Sequence, residues 1–167
     1  ILNKNFHTII IGSGPAGISV AKKLEKKKIS SLIVEAGSME SSSKSQEEYE
    51  GKVIGDDYVD ISASRLRQFG GTSNHWGGVC HPLEKHDFNK WPINKNDLDI
   101  YRDETMQILN LSGNFNVSKF NKNFNIISTK QSNVSFGKKY YDEFKVSKYL
   151  NIISNCFLEN INFLNNQ

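Results

Sequence analysis

A chain of 167 residues with 37% hydrophobic and 23% charged residues reads as a globular protein of one domain or slightly more, a size that buries roughly 70% of the unfolded surface. Its net charge of +3 comes from 21 basic and 18 acidic residues that are well mixed, so composition makes no electrostatic case for a nucleic acid or an anionic membrane. No apolar run approaches the roughly 18 residues of a membrane span, and Cys80 and Cys156 form neither a metal-spaced pair nor a disulfide framework.

Residues 6–11 (Phe-His-Thr-Ile-Ile-Ile) are β-branched and apolar, which predicts a strand buried on both faces of a parallel sheet, with His7 in a structural place. Gly12 ends it. After Pro15, a residue the first helical turn tolerates, Ile18, Ala21 and Leu24 share one helix face, while Lys22, Lys23 and Lys26 fall largely on the other. The run Lys26-Lys27-Lys28 suits the negative end of the helix dipole. Residues 31–35 (Ser-Leu-Ile-Val-Glu) read as a second buried strand, closed by Ala36-Gly37; strand, glycine turn, helix and strand make a βαβ unit.

Residues 38–50 are polar and aperiodic, as in a surface loop. Asn94 reads as the N-cap of a helix to about Asn110, with Leu98, Tyr101, Thr105, Ile108 and Leu109 inward. The stretch 111–148 is rich in Asn, Lys, Ser and aromatics and shows no clear pattern. Residues 152–158 and 160–164 read as two short strands or one bent strand. The chain begins at Ile1, so it carries no information about an export signal or localisation.

The first chemical motif is Gly12-Ser13-Gly14-Pro15-Ala16-Gly17, a full G-x-G-x-x-G placed between strand and helix. Gly12 allows the tight turn, Gly14 lets backbone N–H groups approach a pyrophosphate, and Gly17 lets helix and sheet pack closely. The helix N-terminus favours phosphate charge. Glu35 ends the next strand about 20 residues on, where a ribose-binding carboxylate belongs. FAD and NAD both satisfy this motif.

The second motif runs from Arg67 to Gly78, Arg-Gln-Phe-Gly-Gly-Thr-Ser-Asn-His-Trp-Gly-Gly. Paired glycines bring backbone onto a flat ligand, and Thr72, Ser73 and Asn74 supply donors or a cap for a short helix. The two motifs together resemble the glucose–methanol–choline oxidoreductase family, most of all its pyranose-oxidase-like branch, where such a Gly-Gly-x-Ser-x-His-Trp string packs against the flavin. Pro82-Leu83, Asp87-Phe88, Trp91-Pro92-Ile93, Asp97-Leu98 and Tyr101 are similar to the family's sequel to that string, and Cys156 to Ile161 resembles the strand that holds the FAD adenine by backbone contacts at Leu158. The likeness is specific at 9–37 and 67–98, and weaker at 150–161.

The resemblance implies a Rossmann-like α/β FAD-binding domain with a parallel sheet, incomplete at its C-terminus. It divides the chain into an FAD-binding domain with its flavin loop (1–110), the start of a substrate domain or an insertion (111–148), and a return to the FAD-binding domain (149–167). The implied cofactor is FAD. Its implied contacts are Gly12, Gly14, Pro15, Ala16, Gly17, Glu35, Ala36, Arg67, Gly70, Gly71, Thr72, Ser73, Asn74, His75, Trp76, Gly77, Gly78 and Leu158.

His75 stands where flavinylated members of the family join a histidine to the flavin 8α-methyl; a noncovalent histidine on the ring edge is the other reading. Gly77 stands where the pyranose-oxidase branch places a Thr near flavin N5, so a hydroxyl contact is lost. His81 and His86 flank the Pro82-Leu83 turn and read as surface residues or cavity lining. The implied activity is oxidation of a CH–OH group of a sugar, polyol or other alcohol, with hydride passing to flavin N5 and an unidentified acceptor taking the electrons. The family's catalytic His, paired with His or Asn, lies far toward the C-terminus. Residues 107–167 contain no His, so that pair is expected outside this chain. Two alternatives stand beside this reading: a noncatalytic flavin- or nucleotide-binding module, and an enzyme of another Rossmann FAD or NAD family.

Overall fold

The computed structural model of the chain describes residues 4–162. In order it places β1 (Thr8–Ile11), α1 (Pro15–Lys26), β2 (Ser31–Val34), α2 (Ser43–Glu47), α3 (Ile61–Ser64) and a 3-10 turn (Gly71–Asn74). Then follow β3 (Val79–Cys80), a second 3-10 stretch (Lys85–Lys90), α4 (Lys95–Asp99), α5 (Arg102–Ile108), β4 (Val117–Lys119), β5 (Asn125–Ile127), β6 (Lys130–Gln131), α6 (Phe136–Lys145) and β7 (Leu150–Ile153). The protein is mixed α/β. It forms two compact units, one made of the residues up to Trp76 together with those from Ser135, the other Gly77–Val134.

The first unit is built on a three-stranded parallel sheet in the order β1-β2-β7, with Ile10 opposite Ile33 and Ile33 opposite Ile152. Parallel neighbours need a crossover, and α1 supplies the one between β1 and β2. It buries Ile18 and Ala21, while Lys26, Lys27 and Lys28 stay exposed at its end. Lys22, expected on the outer face, instead pairs with Glu143 of α6 at 2.5 Å. The central strand β2 is buried along Ser31–Ile33. β1 departs from the expectation of two buried faces: Ile10 is buried, but Ile9 and Ile11 are 58% and 53% exposed. Alternation sends Ile10 one way and its neighbours the other, and only one face of this edge strand is covered. His7, just before β1, is exposed rather than buried.

β7 ends at Ile153, short of the strand expected through Leu158. Asn155 takes a positive φ of 54°. The chain then hooks over the end of β2, Asn155 N–H donating to the Gly37 carbonyl and Cys156 N–H to the Glu35 carbonyl, both at 3.0 Å. No strand forms at 160–162; residues 163 and 164 of the second expected strand lie outside the described residues. The polar stretch 38–50 contains α2, whose Gln46 amide donates to the carbonyls of Ser62 (2.6 Å) and Arg65 (2.5 Å) and accepts from Arg67 N–H (3.1 Å).

Against this sheet lies α6, in the stretch that had no legible pattern. Phe136, Tyr140 and Phe144 recur every four residues and are each 1% exposed, and full burial of such a side chain stabilises by about 1.5–3 kcal/mol. Their rings follow one another at 5.4 and 6.1 Å between centroids, and Trp76 meets Phe136 edge-on at 6.3 Å. The helix comes so close to residues 69–70 that two glycines interlock. A Cβ on Gly70 would lie 2.2 Å from Gly137 N, and one on Gly137 would lie 2.2 Å from the Phe69 carbonyl oxygen.

In the second unit β3 pairs with β6 and β4 with β5, both antiparallel. Asn94 caps α4 as expected, its side chain accepting from Asn96 N–H (2.9 Å) while Asp97 accepts from Asn94 N–H (2.9 Å). The single helix expected to Asn110 is broken at Ile100–Tyr101. Ile100 and Tyr101 are 75% and 49% exposed, so burial does not reward a continuous rod there. Arg102 donates to Asp99 across the break, while Lys95 donates to the same carboxylate from within α4.

Gly137→Ala is expected to destabilise the first unit by about 2 kcal/mol or more through forced displacement of backbone, read as a lower denaturant midpoint. Burial, and then the Glu143 carboxylate, push the Tyr140 phenol up from 10.0 to about 12. Its folded pKa lies above its unfolded one, so its contribution is whole below pH 10 and is lost as pH rises toward 12. The denaturation midpoint should therefore fall across that window, and Tyr140→Phe should remove that part of the fall.

Candidate functional site

The C-terminal end of β1 and β2 opens into a cavity of about 720 Å³ in the first unit. Ligands of open α/β sheets gather at this end of the strands. The floor is the loop Gly12–Pro15, which leaves β1 through Gly12 at φ +90° and enters α1. Val34, Glu35 and Ala36 form one wall, and Gly71–Ser73 with Trp76 another. Cys156–Leu158, delivered by the hook after β7, forms a third.

The three motif glycines have different physical reasons. Gly12 needs its left-handed conformation. A Cβ on Gly17 would lie 2.1 Å from the Gly12 carbonyl oxygen, so its reason is close packing of α1 on the loop. Gly14 has neither need: its φ is −66°, and a Cβ there would meet nothing within 4 Å. It is the N-cap of α1, with no side-chain cap and no acidic residue in the first turn. The helix end therefore presents its partial positive charge without a covalently attached counter-charge.

Glu35 is only 7% exposed, and its carboxylate is already held. One oxygen, Oε2, accepts from Ser13 N–H (2.8 Å) and from the Ser13 hydroxyl (2.5 Å); the other, Oε1, accepts from Gly37 N–H (2.7 Å). Ser13 Oγ in turn accepts from Gly70 N–H at 3.0 Å. One fully buried hydroxyl thus joins the first glycine loop, the acid at the end of β2 and the second glycine loop.

In that second loop much of the polar chemistry serves the loop itself. Ser73 donates to the Gly70 carbonyl (2.6 Å) and accepts from Phe136 N–H (3.3 Å). Asn74 donates to the Phe69 carbonyl (2.7 Å) and accepts from the Ser135 hydroxyl (2.7 Å) and Gly137 N–H (3.1 Å). Asn74 thereby caps α6 rather than lining the cavity. Thr72 Oγ1 accepts from Leu66 N–H (3.2 Å). Arg67 donates to Ser45 Oγ (3.0 Å) and stacks on the Phe157 ring at 5.6 Å, bracing the wall from behind. His75 is exposed, makes no side-chain hydrogen bond among the described residues and does not line the cavity.

Of the residues singled out from sequence, Gly12, Gly14, Pro15, Glu35, Ala36, Gly71, Thr72, Ser73, Trp76 and Leu158 meet around one cavity. Ala16, Gly17, Arg67, Gly70, Asn74 and His75 lie in the same unit outside the cavity wall. Gly77 and Gly78 belong to the second unit, where Gly78 (φ +68°) abuts the Ser132 carbonyl so closely that a Cβ would lie 2.0 Å from it. Ser13, Tyr49, Arg65 and Gln68 line the cavity and Gly37 donates to Glu35, although none of the five stands among the contacts that the resemblance implies. Among the described residues, Arg65 is the one cation that lines the cavity. Gly37 packs on the 67–68 backbone, where a Cβ would lie 2.3 Å from the Arg67 carbonyl oxygen. A glycine two residues after the strand-end acid was the signal for it.

His81 lines a smaller cavity of about 240 Å³ in the second unit, with Phe88, Leu98 and Phe115, whereas His86 is exposed 3.5 Å from Asp87. No helix among the described residues is long and apolar enough to cross a membrane, and no cluster of three His, Cys, Asp or Glu is placed there to hold a metal ion. No protein-family model matches the chain, and no curated protein is significantly similar to it.

Proposed function

We propose that the chain binds FAD in the cavity of the first unit and belongs to an oxidoreductase that oxidises a CH–OH group of a sugar, polyol or other alcohol. The observation that carries this reading is Gly14. Neither conformation nor packing within the chain uses the missing side chain there, which leaves the uncapped start of α1 open to a group brought against the backbone. A pyrophosphate is the group that such a helix end favours, and the Arg65 guanidinium in the same wall adds charge of the right sign. Glu35 offers its remaining acceptor capacity to a ribose hydroxyl. Ala36 and Cys156–Leu158 supply backbone and apolar surface for an adenine. Gly71, Thr72 and Trp76 supply the surface against which a flat ring system would rest, and Trp76 is held for this by its contact with Phe136.

FAD, when bound, would supply the hydride acceptor; the protein's part is to hold and orient it and to keep water from it. Support for FAD over a bare dinucleotide comes from the second glycine loop, which the Ser13 hydroxyl ties to the first. The choice of alcohol or sugar rests on the family resemblance alone.

Gly14→Val is expected to abolish FAD uptake while leaving thermal stability close to that of the unaltered chain. Gly17→Ala should instead lower stability, because its Cβ meets backbone at 2.1 Å. Flavin absorbance of the purified proteins and their melting curves separate the two. FAD retained in full by Gly14→Val would overturn the assignment, and a bound nucleotide without flavin colour would favour an NAD site. Because His75 lies outside the cavity wall, acid denaturation of the flavin-loaded protein should release all flavin into the supernatant; fluorescence that stays with the polypeptide and vanishes in His75→Ala would show a covalent link.

A further inference from the structure

A serine hydroxyl has one proton to donate and lone pairs to accept with. At Ser13 the accepting side is taken by Gly70 N–H at 3.0 Å, which has no acceptor capacity of its own. The hydroxyl proton is therefore committed to Glu35 Oε2, 2.5 Å away. The chain of donors runs one way, from the second loop through Ser13 into the carboxylate, and each bond polarises the next. Ser13 is 0% exposed, so bulk water does not reach its hydroxyl.

The consequence falls on Glu35. Oε2 receives both Ser13 donors and Oε1 receives Gly37 N–H. A carboxylate has about four acceptor sites, so one remains, on Oε1. We infer that Ser13, a variable position of the glycine motif, is a positioning residue: it fixes the Glu35 carboxylate from the second glycine loop, so that the free site on Oε1 is set for a ribose hydroxyl. Ser13 thereby governs recognition of the sugar without touching it. This rests on the nucleotide reading of the cavity given above.

The test compares binding of ADP and of 2′,3′-dideoxy-ADP, two probes that differ only in the ribose hydroxyls, by calorimetry on the full chain and on Ser13→Ala. The unaltered chain should prefer ADP roughly tenfold or more, the scale of a hydrogen bond to a charged group. In Ser13→Ala the preference should shrink to about threefold or less, and FAD affinity should fall roughly tenfold or more. A ratio of two affinities cancels any general loosening of the protein, so a merely structural serine would leave it unchanged. If Ser13→Ala does not fold, Ser13→Cys keeps the side-chain length, replaces the hydroxyl by a weak donor and should narrow the preference in the same direction. An unaltered chain that prefers ADP alongside a variant with the same preference overturns this inference alone. An unaltered chain that takes up neither ADP nor FAD overturns the nucleotide reading, and this inference with it.

Discussion

Backbone meets backbone at the contact between residues 69–70 and the first turn of α6. With only hydrogen at Gly70 and Gly137, the Phe69 carbonyl and the Gly137 amide nitrogen approach to where a Cβ would stand. Much else in the first unit follows from that approach. It lets the Asn74 side chain span from the Phe69 carbonyl to the amide of Gly137, satisfying an orphan donor at the start of α6. It brings Ser73 to the amide of Phe136, and it sets the aromatic face of α6 under Trp76. A side chain at either glycine would separate the loop from the helix, and the cavity wall built on that loop would move with it.

The second tie is polar. The Ser13 hydroxyl is buried between two loops that are far apart in sequence, and it leaves neither the Gly70 amide nor the Glu35 carboxylate unsatisfied. Burying a carboxylate is costly unless it is hydrogen-bonded. Glu35 meets that requirement with three donors from its own chain. The Glu35 carboxylate and the two glycine loops are thus oriented by neighbours within the chain itself. Preorganisation of this kind reduces the ordering that binding would otherwise require.

The rest of the wall is supported in layers. Gln46 of α2 stitches the 62–67 segment in place, and Arg67 braces Phe157 from outside the cavity. The hook at Asn155 turns the chain after β7 back over Glu35 and Gly37. These supports come from short segments with little regular structure, held by hydrogen bonds to backbone and a cation–π contact rather than by burial.

The sequence by itself determined the strand–loop–helix–strand start, because a β-branched run, a glycine where the chain turns at φ +90° and a proline at a first helical turn are local requirements. It also determined the Asn94 cap, whose partners lie two and three residues away, and it marked ten residues that meet around the cavity. Long-range contacts decided the rest. The Asn, Lys and Ser of the stretch 111–148 hid α6, because its three buried aromatics gain their meaning only from the sheet, α1 and the 69–74 loop that they pack near. Sequence motifs did not separate cavity wall from brace: Asn74 and Arg67 carry the same chemistry whether they face a ligand or their own backbone. Ser13 reads as filler between two glycines until folding sets Glu35, 22 positions away, and Gly70, 57 positions away, against one hydroxyl. Hydrogen bonds form between groups near in space, and the tertiary structure alone fixes which those are.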